Sequence, residues 1–251
     1  MIKYNQGDKY MKTKKAVLLI HGFAGGNYDY GELANDLQMF DNFDVFTFTL
    51  PGHDKLIITD VTKDDWIKKS EEQLNKIINN NYKEIYIIGH SMGGVIGVHL
   101  ASKYKEITKL VLAAPAFKYF KFKNNKINLS DSIKLLARIF KRYKIKETLS
   151  RIFKVPLKTV KEFAGLVERH TNDIKNVTCP TLILWGNKDD IVPKDSINLV
   201  YNNLKSTSIT MIEINNVSHN LFVNERYEEI KNLIINFLKK KDKKIKEKNK
   251  I

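Results

Sequence analysis

Short runs of consecutive apolar residues alternate along this 251-residue chain with longer segments whose apolar residues recur at helical spacing. The runs are typical of strands buried on both faces, and they lie at 16–23, 44–50, 84–88, 109–116, 180–186 and 208–214. The helical segments include 28–40, 62–80 and 224–240, the second with a capping-box pattern at Thr62 and Asp65. Buried strands separated by helices predict an α/β fold, a mostly parallel sheet with helices on both faces.

One long interval interrupts this alternation. Residues 117–178 contain no convincing strand and are too many for an ordinary connection, so we expect an inserted helical cap. The parts that form the sheet, 1–116 and 179–238, then make one α/β core, because a chain of this length commonly builds a single domain. The basic segment 239–251 is expected to be a disordered tail.

The cysteine count and the distribution of apolar residues bear on the compartment in which the protein is expected. Cys179 is the only cysteine, so no disulfide within the chain is possible. The first fifteen residues lack the apolar block of a signal peptide, and no apolar run reaches the length of about eighteen residues that a membrane span requires. These features predict a cytoplasmic protein.

Residues 89–93 read GHSMG, which fits the pattern G-x-S-x-G. The pattern alone arises by chance in about one chain in ten of this length, so its interpretation depends on its context. A strand-like run precedes it, and about ten mostly apolar residues of helical character follow it. In that context the pattern is typical of a strand that turns sharply into a helix and presents its serine at the turn. Ser91 is therefore predicted to be a nucleophile.

A serine hydroxyl becomes reactive only when a base accepts its proton and a third group orients that base. In sheet enzymes with this pattern an acid and then a histidine follow the serine along the chain. His219 comes directly after the last strand-like run, where it can reach back over the sheet edge. His170 precedes the strand whose end must supply the acid. The base is therefore predicted to be His219.

Two adjacent carboxylates follow the 180–186 run, and either can orient the histidine. The spacing Trp185-Gly186-x-x-Asp189-x-x-x-Pro193 favours Asp189 as the orienting acid. Asp190 is then expected to be an exposed neighbour.

Acyl transfer also requires backbone N–H groups that stabilise the oxyanion. One is expected from Met92, the residue after the nucleophile. The other is expected from Phe23, in the glycine-rich loop after the first strand.

Six motifs occur in a fixed order between about residues 15 and 238: "LLIHGFAGG", "LPGHD", "DDW", "IGHSMGG", "WGNKDDIVP" and "VSHNLF". Together they resemble the α/β-hydrolase fold, and most closely serine hydrolases such as the bacterial carboxylesterases related to monoacylglycerol lipases. The resemblance implies hydrolysis of a small-molecule carboxylic ester through an acyl-enzyme on Ser91, with His219 as base and then acid. It implies no metal and no organic cofactor.

The formal net charge of +15 raises the question of a nucleic-acid or membrane partner. Residues 117–161 hold fourteen basic residues against two acidic ones, and 239–251 hold eight lysines against two acidic residues. The core is therefore close to neutral, and the excess lies in the cap and the tail. No nucleic-acid partner is expected, because no recognised module occurs and the lysines follow no base-reading pattern.

Within the cap, residues 131–153 form an amphipathic pattern with interleaved basic residues. Leu136 and Phe140 lie on one stripe with Ile139 beside it, and we expect the three to help line a pocket for an apolar acyl chain. The simplest interpretation is a lid helix whose lysines stay in water. The alternative is a weak contact with an anionic membrane surface.

Two other functions remain open. The same fold hosts thioesterases, and a cationic lid can attract the phosphates of an acyl-CoA, so an acyl thioesterase is the alternative within the class. A basic, membrane-peripheral binding protein on a hydrolase scaffold is the alternative of another class. The presence of Ser91, Asp189 and His219 together argues against this last function.

Overall fold

A parallel sheet forms the centre of the computed structural model, which describes residues 15–40, 43–54, 61–118, 122–123, 126–127, 156–240 and 246–250. The described strands are β1 (Lys15–Ile20), β2 (Phe43–Thr47), β3 (Glu84–His90), β4 (Ile107–Ala113), β5 (Phe122–Lys123), β6 (Lys126–Ile127), β7 (Thr181–Gly186), β8 (Ile209–Ile214) and β9 (Lys246–Lys250). Seven of them form one sheet in the order β2-β1-β3-β4-β7-β8-β9, and every neighbouring pair is parallel.

Helices cover this sheet, and those within the described ranges are α1 (Leu33–Met39), α2 (Lys63–Asn79), α3 (Met92–Lys103), α4 (Leu157–His170), α5 (Lys194–Asn203) and α6 (Tyr227–Lys239). The connections from β1 to β2 and from β2 to β3 run in opposite directions, so right-handed crossovers place α1 and α2 on opposite faces. Helices α2, α3 and α4 contact one another. Helix α6 lies beside α1, where the Tyr227 hydroxyl hydrogen-bonds Asp36. The predicted α/β fold is confirmed.

The central strands are buried along almost their whole length, as their unbroken apolar sequences predict. Lys109 in β4 is an exception to this apolar pattern, because its side chain is charged although only 4% of the residue is exposed. Its Nζ donates to the carbonyls of Phe237 and Leu238, each at 3.1 Å. The lysine thus satisfies carbonyl groups at the carboxyl end of α6, where helical partners are lacking.

The first turn of α2 joins the end of the cap to the core. The capping box predicted at Thr62 and Asp65 is confirmed, since each side chain accepts a hydrogen bond from the other residue's backbone N–H. Between these two residues, the Lys63 ammonium lies 3.2 Å from the Glu162 carboxylate on α4. Arg169 at the end of α4 forms an ion pair with Asp64. Charged contacts therefore tie α4 to the start of α2.

Only part of the predicted cap at 117–178 is described. It includes the short antiparallel pair of β5 and β6 and the whole of α4. The amphipathic segment at 131–153, with Leu136, Ile139 and Phe140, lies outside the described residues. Their role in an acyl pocket stays a prediction.

Residues 246–250 of the segment 239–251, which is expected to be a disordered tail, lie within the described residues. The last five described residues form β9, which extends the sheet in parallel beside β8. Backbone pairing at a sheet edge requires no apolar side chains, and lysines on an edge strand can remain in water. A strand is therefore compatible with a sequence that has almost no apolar residue. No helix of the described ranges has both the length and the apolar character of a membrane span.

Candidate active site

Ser91 occupies the sharp turn between β3 and α3 that the sequence predicts. Its backbone has φ 54° and ψ −114°, a left-handed conformation that is strained for any residue with a side chain. The turn is held by the Ser91 N–H, which donates to the Ala113 carbonyl at 2.9 Å, and by the Gly94 N–H, which donates to the Ser91 carbonyl at 3.0 Å. The serine is therefore fixed at the carboxyl end of β3.

Two glycines permit this turn because backbones approach one another closely there. A Cβ on Gly89 would lie 2.3 Å from the Gly93 carbonyl oxygen, and a Cβ on Gly93 would lie 1.8 Å from the Ile20 carbonyl oxygen. Real Cβ atoms do not come this close to backbone oxygens. The glycines of the G-x-S-x-G pattern thus hold α3 against the ends of β3 and β1.

His219 and Asp189 meet at the same edge of the sheet. His219 follows β8, Asp189 follows β7, and His219 Nδ1 lies 2.8 Å from Asp189 Oδ2. The other carboxylate oxygen, Oδ1, accepts from the N–H groups of Ile191 and Val192, each at 2.9 Å. Because a carboxylate only accepts, Nδ1 must carry the proton. The Nε2 of a neutral His219 is then the nitrogen that can accept one.

The surroundings of His219 favour its protonated form. Burial alone would lower its pKa, but the charge and the hydrogen bond of Asp189 outweigh burial and raise the pKa above its ordinary value. The charges of Asp29 and Asp190 add smaller effects in the same direction. An imidazole with this preference can hold a proton that it takes from a nucleophile.

Asp190 differs from the expectation of an exposed neighbour, because it is half-buried. Its charge reaches His219 as the smallest of the named contributions to that pKa. The hydrogen bond to His219 belongs to Asp189 alone of the two carboxylates.

The loop after β1 lies against the serine, as the predicted oxyanion site requires. A Cβ on Gly22 would lie 3.2 Å from the Cβ of Ser91. Among the residues that the structure describes, neither the Phe23 N–H nor the Met92 N–H has a hydrogen-bond acceptor. Two N–H donors near Ser91 are therefore available to a substrate oxygen.

His21 fixes the course of this loop. Its Nδ1 donates to the Gly22 carbonyl at 2.9 Å, and its Nε2 accepts from the Leu50 N–H at 2.9 Å. Burial lowers the pKa of His21, against smaller opposing effects of the Gly22 carbonyl and Asp29. A neutral imidazole in one tautomer fits both hydrogen bonds, so His21 has a structural role.

Asp29 and His90 form a second layer that the sequence analysis did not identify. Asp29 Oδ2 accepts from the Gly22 N–H at 3.2 Å and lies 3.8 Å from His90 Nδ1, an ion-pair distance. His90 Nε2 lies 3.1 Å from the carbonyl oxygen of His219, and the two rings have centroids 4.8 Å apart. The pair thus connects the loop after β1, the residue before Ser91 and the backbone of His219.

The electrostatics of this layer favour an ionised Asp29. Burial would raise its pKa, but His90, His21 and the Gly22 N–H outweigh burial and lower the pKa below its ordinary value. No pattern in the sequence marks this role, because Asp29 lies in a run of helical pattern and His90 occupies a variable position of the motif.

Aromatic side chains form the contact between helix α4 of the cap and the loop that contains Phe23. The ring of Phe163 on α4 stacks on that of Phe23 with centroids 4.9 Å apart. Trp66 also contacts Phe23, with the two ring centroids 6.0 Å apart. Burial lowers the pKa of the adjacent His53 to about 4, with a smaller effect of His21 in the same direction. An apolar wall therefore adjoins one of the expected oxyanion donors.

Comparison with known proteins identifies a family and several similar chains. Residues 11–226 match the family described as "Serine aminopeptidase, S33". A carboxylesterase of Bacillus subtilis is 23% identical over 241 residues, which cover 91% of this chain and 94% of the relative. A thermostable monoacylglycerol lipase of Bacillus sp. strain H-257 is 24% identical over 208 residues, which cover 81% and 82% of the two chains.

A solved structure shows the same fold. The monoacylglycerol lipase of Paleococcus ferrophilus superposes with a TM-score of 0.66 at 20% identity, covering 89% of this chain and 93% of that one.

Proposed function

The chain belongs to the α/β-hydrolase family described as "Serine aminopeptidase, S33", and we propose that it is a carboxylic ester hydrolase that acts through an acyl-enzyme on Ser91. The observation that supports this most directly is the His219–Asp189 hydrogen bond at the sheet edge where Ser91 occupies its strained turn. The relatives named carboxylesterase and monoacylglycerol lipase favour an ester as the substrate.

The first half of the reaction forms the acyl-enzyme. The Ser91 hydroxyl oxygen attacks the ester carbonyl carbon while His219 Nε2 takes the hydroxyl proton, and the carbonyl oxygen becomes an oxyanion. The N–H groups of Phe23 and Met92 stabilise that oxyanion. The carbon–oxygen bond to the alcohol then breaks, and His219 gives its proton to the leaving alkoxide.

The second half repeats these steps with water. His219 takes a proton from a water molecule, whose oxygen attacks the acyl carbon, and the carboxylic acid leaves as Ser91 regains its proton from His219. Asp189 accepts the Nδ1–H throughout, so it holds the ring in one orientation and stabilises the imidazolium. The raised pKa of His219 serves both halves, because the imidazole must keep each proton until it passes to the leaving alkoxide or back to Ser91.

The preferred substrate in this proposal has an apolar acyl chain. The stacked rings of Phe23 and Phe163 provide apolar surface beside an oxyanion donor. Leu136, Ile139 and Phe140 are proposed to extend that surface from the cap. Each further buried CH₂ is expected to favour binding by about 0.8 kcal/mol until the pocket is full.

An acyl thioester is the second candidate substrate, because the basic residues at 117–161 can attract an anionic acyl carrier. The chemistry on Ser91 would be the same, with a thiolate as leaving group. A cytoplasmic location and a weak contact with anionic membranes remain parts of the proposal.

The test is a chain-length series of esters, matched thioesters and a proline anilide, each assayed with the wild-type chain and with Ser91→Ala. We expect hydrolysis of esters that is lost by on the order of a millionfold in Ser91→Ala, while circular dichroism shows an intact fold. Ser102→Ala makes the same substitution in the same helix and is the matched control, with activity close to wild type. Preferred cleavage of the anilide would replace the ester proposal by a peptidase function.

A further inference from the structure

A second group of histidine and carboxylate side chains lies where α3 meets the end of the cap. His99 comes from α3, His170 is the last residue of α4, and Asp173 lies in the 3-10 helix Thr171–Asn176 that follows. His99 is eight residues after Ser91 on α3, so the two positions are separated by about 12 Å along the helix axis. The group is therefore distinct from the candidate active site.

One carboxylate oxygen joins both rings. Asp173 Oδ2 lies 2.9 Å from His99 Nδ1 and 2.8 Å from His170 Nδ1. The ring centroids of the two histidines are 4.2 Å apart. One ligand atom from each of the three residues falls within 4.8 Å of the others. Two imidazole nitrogens and one carboxylate oxygen thus converge on one point.

The three ligand atoms lie slightly closer together than a bound cation requires. Zinc binds imidazole nitrogen at about 2.0–2.1 Å and carboxylate oxygen at similar distance, so tetrahedral ligands stand about 3.3 Å apart. The nitrogen-to-oxygen distances here are 2.8 and 2.9 Å. The ligands would need to separate by about half an ångström to admit the ion. Asp173 is partly exposed, which leaves a route from solvent.

His99 also has the outer partner that a metal-binding histidine usually has. Its Nε2, the nitrogen turned away from Asp173, lies 3.6 Å from Glu71 Oε1 on α2. The Glu71 carboxylate is held by Lys103, whose ammonium lies 2.6 Å from the same oxygen. A carboxylate behind the ring, itself paired with a lysine, fixes the orientation of the ring and increases its basicity.

His170 offers Nδ1, the nitrogen that faces Asp173, as its ligand atom. The residue is 6% exposed, and its Nε2 is buried with no hydrogen-bond partner among the described residues.

We propose that His99, His170 and Asp173 bind a divalent transition-metal ion such as Zn²⁺, with a water molecule completing the tetrahedral set. Glu71 orients His99 from behind. The ion would cross-link α3 of the core to the carboxyl end of α4, and so fix the base of the cap. The sequence analysis expected no metal, because 71 positions separate the two histidines and no short spacing marks them.

The test uses the full chain without a histidine tag, freed of metal by a chelator and titrated with Zn²⁺ in a calorimeter. We expect one ion per chain. Asp173→Asn and His170→Gln should each weaken binding by more than a hundredfold. Glu71→Gln should weaken it by about 10–100-fold, as the loss of an outer partner does. Mg²⁺ should not bind, because it prefers oxygen ligands in octahedral geometry.

The matched control is His219→Gln, which removes the histidine of the other histidine–aspartate pair and should leave zinc binding unchanged. Zinc at about a hundredfold above its Kd should also raise the Tm of the wild-type chain by about 5–10 °C. Co²⁺ in place of zinc should give the visible absorption of a tetrahedral site, a result that needs no variant. The proposal is overturned if the wild-type chain binds no zinc, or if the folded Asp173→Asn and His170→Gln variants bind it as tightly as wild type.

Discussion

His219 and His170 each place Nδ1 2.8 Å from an aspartate Oδ2, yet their pKa values move in opposite directions. The pKa of His219 is raised and that of His170 is lowered. Both rings are buried, so burial opposes the charged form in both places. The hydrogen bond to the carboxylate therefore does not decide the proton affinity by itself.

The difference lies in what else surrounds each ring. Around His219 the further charges are Asp29 and Asp190, which both favour the imidazolium. Around His170 the further charges are His99, which shares the same carboxylate oxygen, and Arg169, and both disfavour it. One carboxylate that serves a single ring raises the pKa of His219, whereas the pKa of His170 is lowered where two rings share one carboxylate oxygen. The first arrangement suits acid–base catalysis.

The largest expected effect is the difference in activity between variants of the two aspartates, Asp189 and Asp173. Asp189→Asn should reduce kcat for ester hydrolysis by about ten-thousandfold, because the ring of His219 loses its acceptor and its correct tautomer. Asp173→Asn should reduce kcat by less than about threefold, since its ring pair lies roughly 12 Å along α3 from Ser91. The measurement is kcat of each of the two variants on the same short ester. Equal losses in two folded variants would contradict it.

Helix α3 runs from one region to the other, and its glycines should respond very differently to alanine. Gly93→Ala should destabilise the fold by more than about 4 kcal/mol, because the new Cβ meets the Ile20 carbonyl oxygen at 1.8 Å. Gly97→Ala is the control in the same helix. Its Cβ would meet only side-chain carbons, at 3.3 and 3.4 Å, and the change should stay within about 1 kcal/mol. Urea unfolding measures both, and a stable Gly93→Ala variant would refute the close approach.

A smaller effect should follow from the second layer. Protonated His219 cannot accept the Ser91 proton, so kcat/KM should fall as the pH drops below the raised pKa of His219. Asp29→Asn removes one charge that raises this pKa, so the acid limb should move to lower pH. The rate at its optimum should fall by on the order of tenfold, because the loop carrying Gly22 and Phe23 loses a charged partner. The control is Asp36→Asn on α1, which should leave both the acid limb and the optimal rate unchanged.

If the acid limb of the kcat/KM profile lies at the same pH in Asp29→Asn as in the wild-type chain, the Asp29 carboxylate does not act on His219.

The folded-state pKa of His219 also affects stability. Because it is raised, its contribution to the free energy of unfolding is present below the unfolded pKa near 6.5 and is lost as the pH rises through the folded pKa.

The smallest effect is expected at Asp190. Asp190→Asn leaves the hydrogen bond of Asp189 intact and removes a half-buried charge whose effect on the pKa of His219 is the smallest of those named, so kcat should change by less than about twofold. If this variant rather than Asp189→Asn abolished hydrolysis, the orienting acid would be Asp190.

Features that depend on neighbouring residues could be predicted from the sequence. The strands, the capping box at Thr62 and the turn at Ser91 each arise from a local pattern, and the structure places them within a few residues of the predicted positions. The positions of His219 and Asp189 could be predicted because each follows a strand whose carboxyl end must face the same edge.

Features that depend on tertiary contacts could not be predicted. Asp29 acts through its approach to Gly22 and His90, and no spacing along the chain reveals that contact. His99 and His170 meet only because α4 packs on α3. The strand β9 pairs through its backbone at a sheet edge, so its side chains give no hydrophobic pattern.

The central claim is that Ser91 is the nucleophile of an ester hydrolase, and covalent labelling tests it most directly. The chain is treated with a fluorophosphonate, which reacts with activated serines, and the intact mass and its peptides are then measured. We predict one label per chain, located on Ser91, with hydrolysis lost in proportion to labelling, and no label on Ser91→Ala. A fully labelled chain that carries the group on another residue, or an unlabelled chain that still hydrolyses esters at its full rate, would contradict the account.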